Sequence, residues 1–273
     1  MGNYLKKGCL YMFNWKSVFY KLLGRKENSP LDENTSLSFL RPKWHEVPIG
    51  MGRLSTRDLL EIKDVELINL WQRTRIQETQ NDGFTIRGWY HLLYKDILRG
   101  KKVLDIGSGF GIDGITFAEH GAKITFVDIV ETNLFIIKRL CKLCKVEDVS
   151  FLYLDSLNAF STLPNDYDVV WCQGSMINAP FNFIKQEAKE ILKHLKHGGR
   201  WIELAYPKSR WEKEGSLPFD KWGEFTDGVG TPWVEWYDLE KLRKRLAPAK
   251  FDVVLNFEFH NHDFIWFDLI RRC

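Results

Sequence analysis

From Lys101 onward, short apolar runs alternate with amphipathic stretches. The run KKVLDIG (101–107) is continuously apolar after its lysines, ends in glycine and reads as a buried strand. A helix is expected from about Phe110 to His120, then a second strand, AKITFVD (122–128), and a helix from about Glu131 to Val146. VSFLYLD (149–155) is a third strand, and YDVVWCQ (167–173), behind the turn residues Pro164, Asn165 and Asp166, is a fourth. FNFIKQEAKEILKHLKHGG (181–199) has the helical period and a glycine stop, and RWIELAY (200–206) is a fifth strand. After a long insertion come a helix, DLEKLRKRLAP (238–248), a sixth strand, FDVVLNFEF (251–259), and a seventh, DFIWFDLIRR (263–272). Strands that alternate with helices build a parallel sheet covered on both faces. Only HNH separates the last two strands, which fits an antiparallel hairpin. The expected fold is therefore α/β and doubly wound, with a mostly parallel seven-stranded sheet and an antiparallel last strand.

Upstream the pattern changes. STRDLLEIKDVELINLWQRTRIQ (55–77) opens on a capping-box-like Ser55 and Asp58 and repeats apolar residues at Leu59, Ile62, Leu67, Leu70 and Trp71. The break Asn81-Asp82-Gly83 leads to a second helical segment, IRGWYHLLYKDILRG (86–100). Residues 56–100 thus read as a helical N-terminal extension or lid on a domain spanning 101–273. Residues 1–55 read as leader and linker: a basic, aromatic segment, the polar GRKENSPLDENTS (24–36), and a Pro-punctuated loop.

Composition narrows the function classes. Apolar residues at 44% and charged residues at 27% suit a soluble globular chain and argue against extended disorder. A net charge of +3 is too small to argue for a nucleic-acid partner. No run of eighteen apolar residues exists, and the apolar stretch near the N-terminus is cut by Lys16, so a cytoplasmic location is expected. The leader mixes Lys6 and Lys7 with Leu5, Phe13, Trp15 and Phe19. That suits either a helix packed on the core or an interfacial helix making peripheral membrane contact. Cys141 and Cys144 fall in a helical pattern without a second ligand pair and read as reduced thiols.

The chemistry concentrates in VLDIGSGFGIDG, residues 103–114. Gly107, Gly109 and Gly111 alternate where a strand turns into a helix, so backbone there is open to a ligand at the carboxyl edge of the sheet. Gly109, Gly111 and Gly114 also satisfy the dinucleotide fingerprint, and Asp128 follows at nearly the matching distance. Charge separates the two readings. A pyrophosphate disfavours Asp105, two residues before the first glycine, whereas the cationic S-adenosylmethionine favours it. Asp128, at the end of the second strand, is placed to accept from ribose hydroxyls, with Ile129 as an apolar wall for adenine. Asp155 and Ser156, at the end of the third strand, can meet the adenine amino group.

The succession Asp105-Gly107-Gly109-Gly111, Asp128, Asp155, YDVVWCQGS and HLKHGGRWIE resembles the class I, Rossmann-type methyltransferase family over roughly residues 86–273. The resemblance implies S-adenosylmethionine as cofactor. It sets Gly107, Ser108, Gly109 and Gly111 around the methionine part, Asp128 at the ribose, Asp155 at the adenine and Gln173 at the sulfonium. Arg87 is placed to pair with the cofactor carboxylate. One departure is that the loop after the fourth strand, QGSMINAP, carries Ser175 and Asn178 where many small-molecule members have histidine. The implied reaction is methyl transfer to a hydroxyl or amine of a small molecule or saccharide. A non-catalytic cofactor-binding partner subunit and a nicotinamide oxidoreductase are the alternatives.

His260 and His262, beside Asp263 in the last hairpin, are candidate general bases, without a further ligand group for a metal. The acceptor is expected under the insertion 207–236, whose Trp211, Trp222, Trp233 and Trp236 suit the faces of a sugar.

Overall fold

A computed structural model of the chain describes residues 33–49 and 52–273. The leader and Cys9 lie outside the described residues. Among the described residues no helix is long and apolar enough to cross a membrane.

The first described segment is not a loop. It forms helix α1 (Glu33–Trp44) and an antiparallel hairpin of β1 (Glu46–Ile49) and β2 (Gly52–Ser55). Leu37, Leu40 and Val47 are buried at these elements. Apolar residues at i and i+3 give α1 one face to bury, and the linker reading missed that face because polar residues surround it.

The expected helix from Ser55 is two helices, α2 (Thr56–Glu61) and α3 (Asp64–Thr79). Ser55 caps α2 as its composition suggested, accepting from the Asp58 amide at 3.2 Å. The break at Ile62 and Lys63, both extended, has a partner in Arg139. Its guanidinium donates to the carbonyls of Leu59, Leu60 and Ile62, satisfying the free end of α2. A 3₁₀ turn (Asn81–Thr85) leads into α4 (Gly88–Ile97).

The remainder alternates β3 (Lys102–Ile106), α5 (Ile112–Glu119), β4 (Lys123–Asp128), α6 (Glu131–Cys144), β5 (Val149–Tyr153), β6 (Tyr167–Gln173), α7 (Phe181–Ile191) and β7 (Leu195–Ala205). Two insertion helices follow, α8 (Lys208–Lys213) and α9 (Phe219–Asp227), then α10 (Leu239–Leu246), β8 (Phe251–Phe259) and β9 (Phe264–Arg271). The sheet order is β5-β4-β3-β6-β7-β9-β8. β9 runs antiparallel to both β7 and β8, and the other pairs are parallel. The strand order reverses beside β3 and β6, and a ligand crevice opens at such a switch point. One core cluster lies on each face of the sheet. Leu104, Val170 and Trp201 point into one cluster, and Val103, Trp171 and Trp266 into the other. Cys141 and Cys144 sit on α6 as free thiols, and burial pushes both up, to about 12 and about 11.

Candidate functional site

The turn from β3 into α5 needs left-handed backbone at three places. Gly107, Gly109 and Gly111 have φ of 69°, 56° and 70°. Each glycine serves a different end. A Cβ on Gly107 would lie 2.4 Å from the Ser175 Cβ, so the turn is pressed against the loop after β6. A Cβ on Gly109 would meet nothing within 4 Å. One on Gly111 would crowd Ile115 and Ile137 at 3.1–3.3 Å, so that glycine serves helix packing.

Above this turn lies a cavity of about 300 Å³. Gly107, Gly109, Asp128, Ile129 and Gln173 line it, as the sequence suggested, and so does Arg87. Asp128 is buried at the end of β4. Its Oδ1 accepts from the Val130 amide at 2.8 Å, and its Oδ2 lies 3.4 Å from the Gly109 amide. Burial pushes its carboxyl up to about 6, against the pull of these hydrogen bonds. Gln173 is unusual, because both its amide atoms are buried without a hydrogen-bond partner among the described residues. A buried amide in that state calls for a further partner, a water or a ligand.

Other expectations need correcting. Asp105 does not line the cavity. It is buried beneath the turn, its Oδ2 2.8 Å from where a Cβ of Gly114 would stand. Burial, with Asp113 and Asp128 nearby, pushes its carboxyl well above the usual carboxylate range. Ser108 does not line the cavity, and its hydroxyl donates to the Asp105 carbonyl at 3.0 Å. Asp155 and Ser156 are also outside the lining, since β5 ends at Tyr153 and Leu154 supplies the wall. Asp155 is exposed and accepts from the Ser156 hydroxyl at 3.0 Å. Arg87 is less free than expected, because its Nε pairs with Glu78 at 3.1 Å and its Nη1 with Asp113 at 2.7 Å. Asp113 also accepts from Trp171 at 3.0 Å and pairs with His91 at 2.7 Å. Burial alone would raise its carboxyl, but Arg87 and these partners outweigh that and hold it low.

His260 and His262 sit in the β8–β9 turn and do not line the cavity. The His262 imidazole is mostly exposed and pairs with Glu258 at 2.8 Å. His260 contacts Thr85 at 3.2 Å. The turn shares the sheet edge with the cavity, but its left-handed residues direct these rings to other partners.

The insertion tryptophans do not face the cavity either. Trp222 is fully buried, its Nε1 donating to Glu214 at 2.6 Å. Trp233 donates to Glu235 at 3.0 Å, and the Trp211 ring meets those of Phe219 and Trp236 at a tilt. Trp222 belongs to the core cluster on one face of the sheet, and Trp211 and Trp236 pack against that cluster. Asp227 is the insertion's sole residue in the lining. Its carboxylate accepts from the Tyr206 hydroxyl at 2.7 Å and from Asn178 at 3.0 Å.

Several lining residues were not singled out from sequence. Leu37, Leu40 and Trp44 of α1, and Val47 and Arg53 of the hairpin, cover the cavity. The cover is latched to the Asp128 network: Asn133 approaches Asp128 at 3.5 Å, donates to the Trp44 carbonyl at 3.1 Å and accepts from Thr56 at 2.6 Å. Arg41 of α1 donates to the carbonyls of Ile129, Leu154 and Asp155 at 3.1, 3.3 and 2.5 Å. Glu187 of α7 is a buried lining acid, and burial pushes it up to about 7 against the pull of Arg245. The Gly-x-Gly spacing in EVPIGMGRLS (46–55) is the sequence signal for the hairpin.

Residues 103–199 match the family described as methyltransferase domain. The strand order, the glycine turn and this match agree. Over residues 103–199 the chain is thus similar to a methyltransferase domain, on a sheet of doubly wound order.

The chain is 34% identical over 107 residues to the ubiquinone biosynthesis O-methyltransferase of Idiomarina loihiensis. That match covers 39% of this chain and 43% of the relative, so the chain spans less than half the length of the curated relative. Among solved structures it resembles magnesium protoporphyrin IX methyltransferase of Synechocystis, solved with bound S-adenosylhomocysteine, at a TM-score of 0.51 and 18% identity. That likeness covers 80% of this chain and 92% of the other. A 1,6-didemethyltoxoflavin N1-methyltransferase of Burkholderia thailandensis gives a TM-score of 0.50 at 16% identity, over 84% and 95% of the two chains. Both show the shared fold.

Proposed function

We propose that this chain transfers the methyl group of S-adenosylmethionine to an oxygen of a small acceptor. One observation carries the reading: a single cavity contains the open glycine turn, the buried Asp128 carboxylate and the unpartnered amide of Gln173. These groups fit the cofactor. Asp128 would accept from the ribose hydroxyls, Val127, Ile129 and Leu154 would face the adenine, and Gln173 would reach the methionine part. Arg87, held by Glu78 and Asp113, would reach the cofactor carboxylate with the nitrogen those acids leave over. The names of the relatives support the oxygen acceptor.

The bound sulfonium supplies an already activated methyl group, so the chain's task is to orient the acceptor and exclude water. The cover of α1 and the β1–β2 hairpin, with the insertion, closes over the strand ends. Lys43 links the two, donating to Glu46 and to the Val229 carbonyl at 2.9 Å each. Ile86, Tyr90, Leu204 and Phe264 would offer an apolar bed for the acceptor, and Asp227, held by Tyr206 and Asn178, would receive its hydroxyl proton. The volume sits at the small end for ligand pockets, and the saccharide argument falls with the insertion tryptophans.

The test is calorimetric binding of S-adenosylhomocysteine against NAD, followed by labelled methyl transfer across a metabolite pool with mass readout. Binding of S-adenosylhomocysteine alone, and label on oxygen, is the expected result. Preference for NAD, or binding without any transfer, would remove the proposal.

A further inference from the structure

Two arginines line the cavity, and they differ in what holds them. Arg87 is bridged to two carboxylates. Arg53, on β2, has no ion pair among the described residues. Its Nη1 is buried and without a hydrogen-bond partner among them. An arginine stays charged at any working pH, and a buried guanidinium nitrogen with no acceptor is costly. Asp227, which also lines the cavity, accepts from Tyr206 and Asn178 and makes no ion pair with Arg53 among the described residues. The guanidinium carbon stands 5.3 Å from the centre of the Trp44 ring, which orients the planar group.

We infer that Arg53 recognises a carboxylate on the methyl acceptor, and that the acceptor is an acid with an apolar, ring-containing body. The inference rests on the methyltransferase reading. A guanidinium offers two parallel donors that match a carboxylate. The lining also offers apolar and aromatic groups, Trp44, Ile86, Tyr90, Leu204 and Phe264 among them, beside the carboxylate of Asp227. A carboxylate could also come from the cofactor. The neighbours of Arg53 favour the acceptor, since Trp44 and Tyr206 belong to the cover and to the segment entering the insertion, not to the glycine turn.

The test uses protein saturated with S-adenosylhomocysteine and three matched probe pairs: benzoate and benzamide, cinnamate and cinnamamide, indole-3-acetate and indole-3-acetamide. At least one acid should bind about tenfold or more tighter than its amide, the size expected of a charge-assisted pair. Arg53→Met should remove that preference while S-adenosylhomocysteine affinity stays within about twofold. Arg53→Lys should keep part of it, as a point charge without the fork, and serves as the second variant if Arg53→Met folds poorly. Equal binding of acids and amides, binding of no acid, or preference retained in both variants would overturn the inference. A fall in S-adenosylhomocysteine affinity that matches the fall for the acid would reassign Arg53 to the cofactor carboxylate and also overturn it. Should S-adenosylhomocysteine fail to bind the wild type, the methyltransferase reading falls by itself, and the same acid preference is then required of the free protein.

Discussion

The two ends of the cavity are built in different ways. The end at the glycine turn is made from backbone at the tips of β3, β4 and β6, with Asp128 and Gln173 among its polar side chains. Its position follows from the sheet, whose central strands are paired on both sides. The opposite end is made from side chains on separate segments: Arg53 from the N-terminal hairpin, Tyr206 after β7, Asp227 from the insertion and Phe264 at the start of β9. Nothing but packing and a few hydrogen bonds brings these together. One end is a fixed cradle and the other an adjustable cover, which is how one fold can keep a cofactor while changing its acceptor.

The sharpest break in that contrast is Gly107→Ala. The position needs a left-handed backbone, and its Cβ would stand 2.4 Å from the Ser175 Cβ. Strain of about 1–2 kcal/mol adds to an overpacking cost of about 1–3 kcal/mol. Denaturant unfolding should show the loss, and S-adenosylhomocysteine binding should fall with it. Gly109→Ala should cost stability only through strain, about 1–2 kcal/mol, because its Cβ meets nothing within 4 Å. Equal losses at the two glycines would mean that the turn is looser than a cradle.

Next in size is Asp128→Ala, which should weaken S-adenosylhomocysteine by about 1.5–3 kcal/mol. Unchanged calorimetric affinity in a folded variant would remove the ribose assignment. The carboxyl also predicts pH dependence. Burial lifts it to about 6 in the folded protein, against about 4 in the unfolded chain. Between those values the folded state holds the extra proton. This group's contribution to the stability of the free protein is therefore fully present below about 4 and lost as pH rises through 6. Ligand hydroxyls favour the ionised form, so cofactor affinity should move the other way, falling as pH drops through 6. Asp128→Asn should flatten both trends.

The same contrast explains which parts of the molecule are legible in the sequence. Strands, crossovers and the glycine turn obey short periods, so VLDIGSGFGIDG and ITFVD are enough to locate the cradle. Its inner acid is harder to place. Asp105 and Asp128 both occupy strand ends, but only the pleat and the α5 contact show that Asp105 is turned under the glycines. At the cover, pattern says little. Arg53 and Asp227 are far apart in sequence, and no period links them. The insertion tryptophans show the opposite error. Rings in a long loop must be buried, but the sequence does not say against what, and these are buried against one another and the core.

The smallest expected effect tests whether the adenine end belongs to the cradle or to the cover. The family resemblance put the Asp155 carboxylate at the adenine, but the structure leaves that side chain exposed and outside the lining. What closes this edge is Arg41 of α1, which donates to the carbonyls of Ile129, Leu154 and Asp155. Asp155 therefore takes part through its backbone, and Asp155→Ala keeps that carbonyl. An exposed carboxylate whose one partner is the neighbouring Ser156 hydroxyl contributes little. S-adenosylhomocysteine affinity in Asp155→Ala should stay within about twofold of wild type, below about 0.5 kcal/mol. Arg41→Ala should cost more, since it unties α1 from both strand ends at once. A tenfold loss at Asp155 with no loss at Arg41 would show that the carboxylate turns inward when the cofactor binds, and the adenine end would then belong to the fixed cradle.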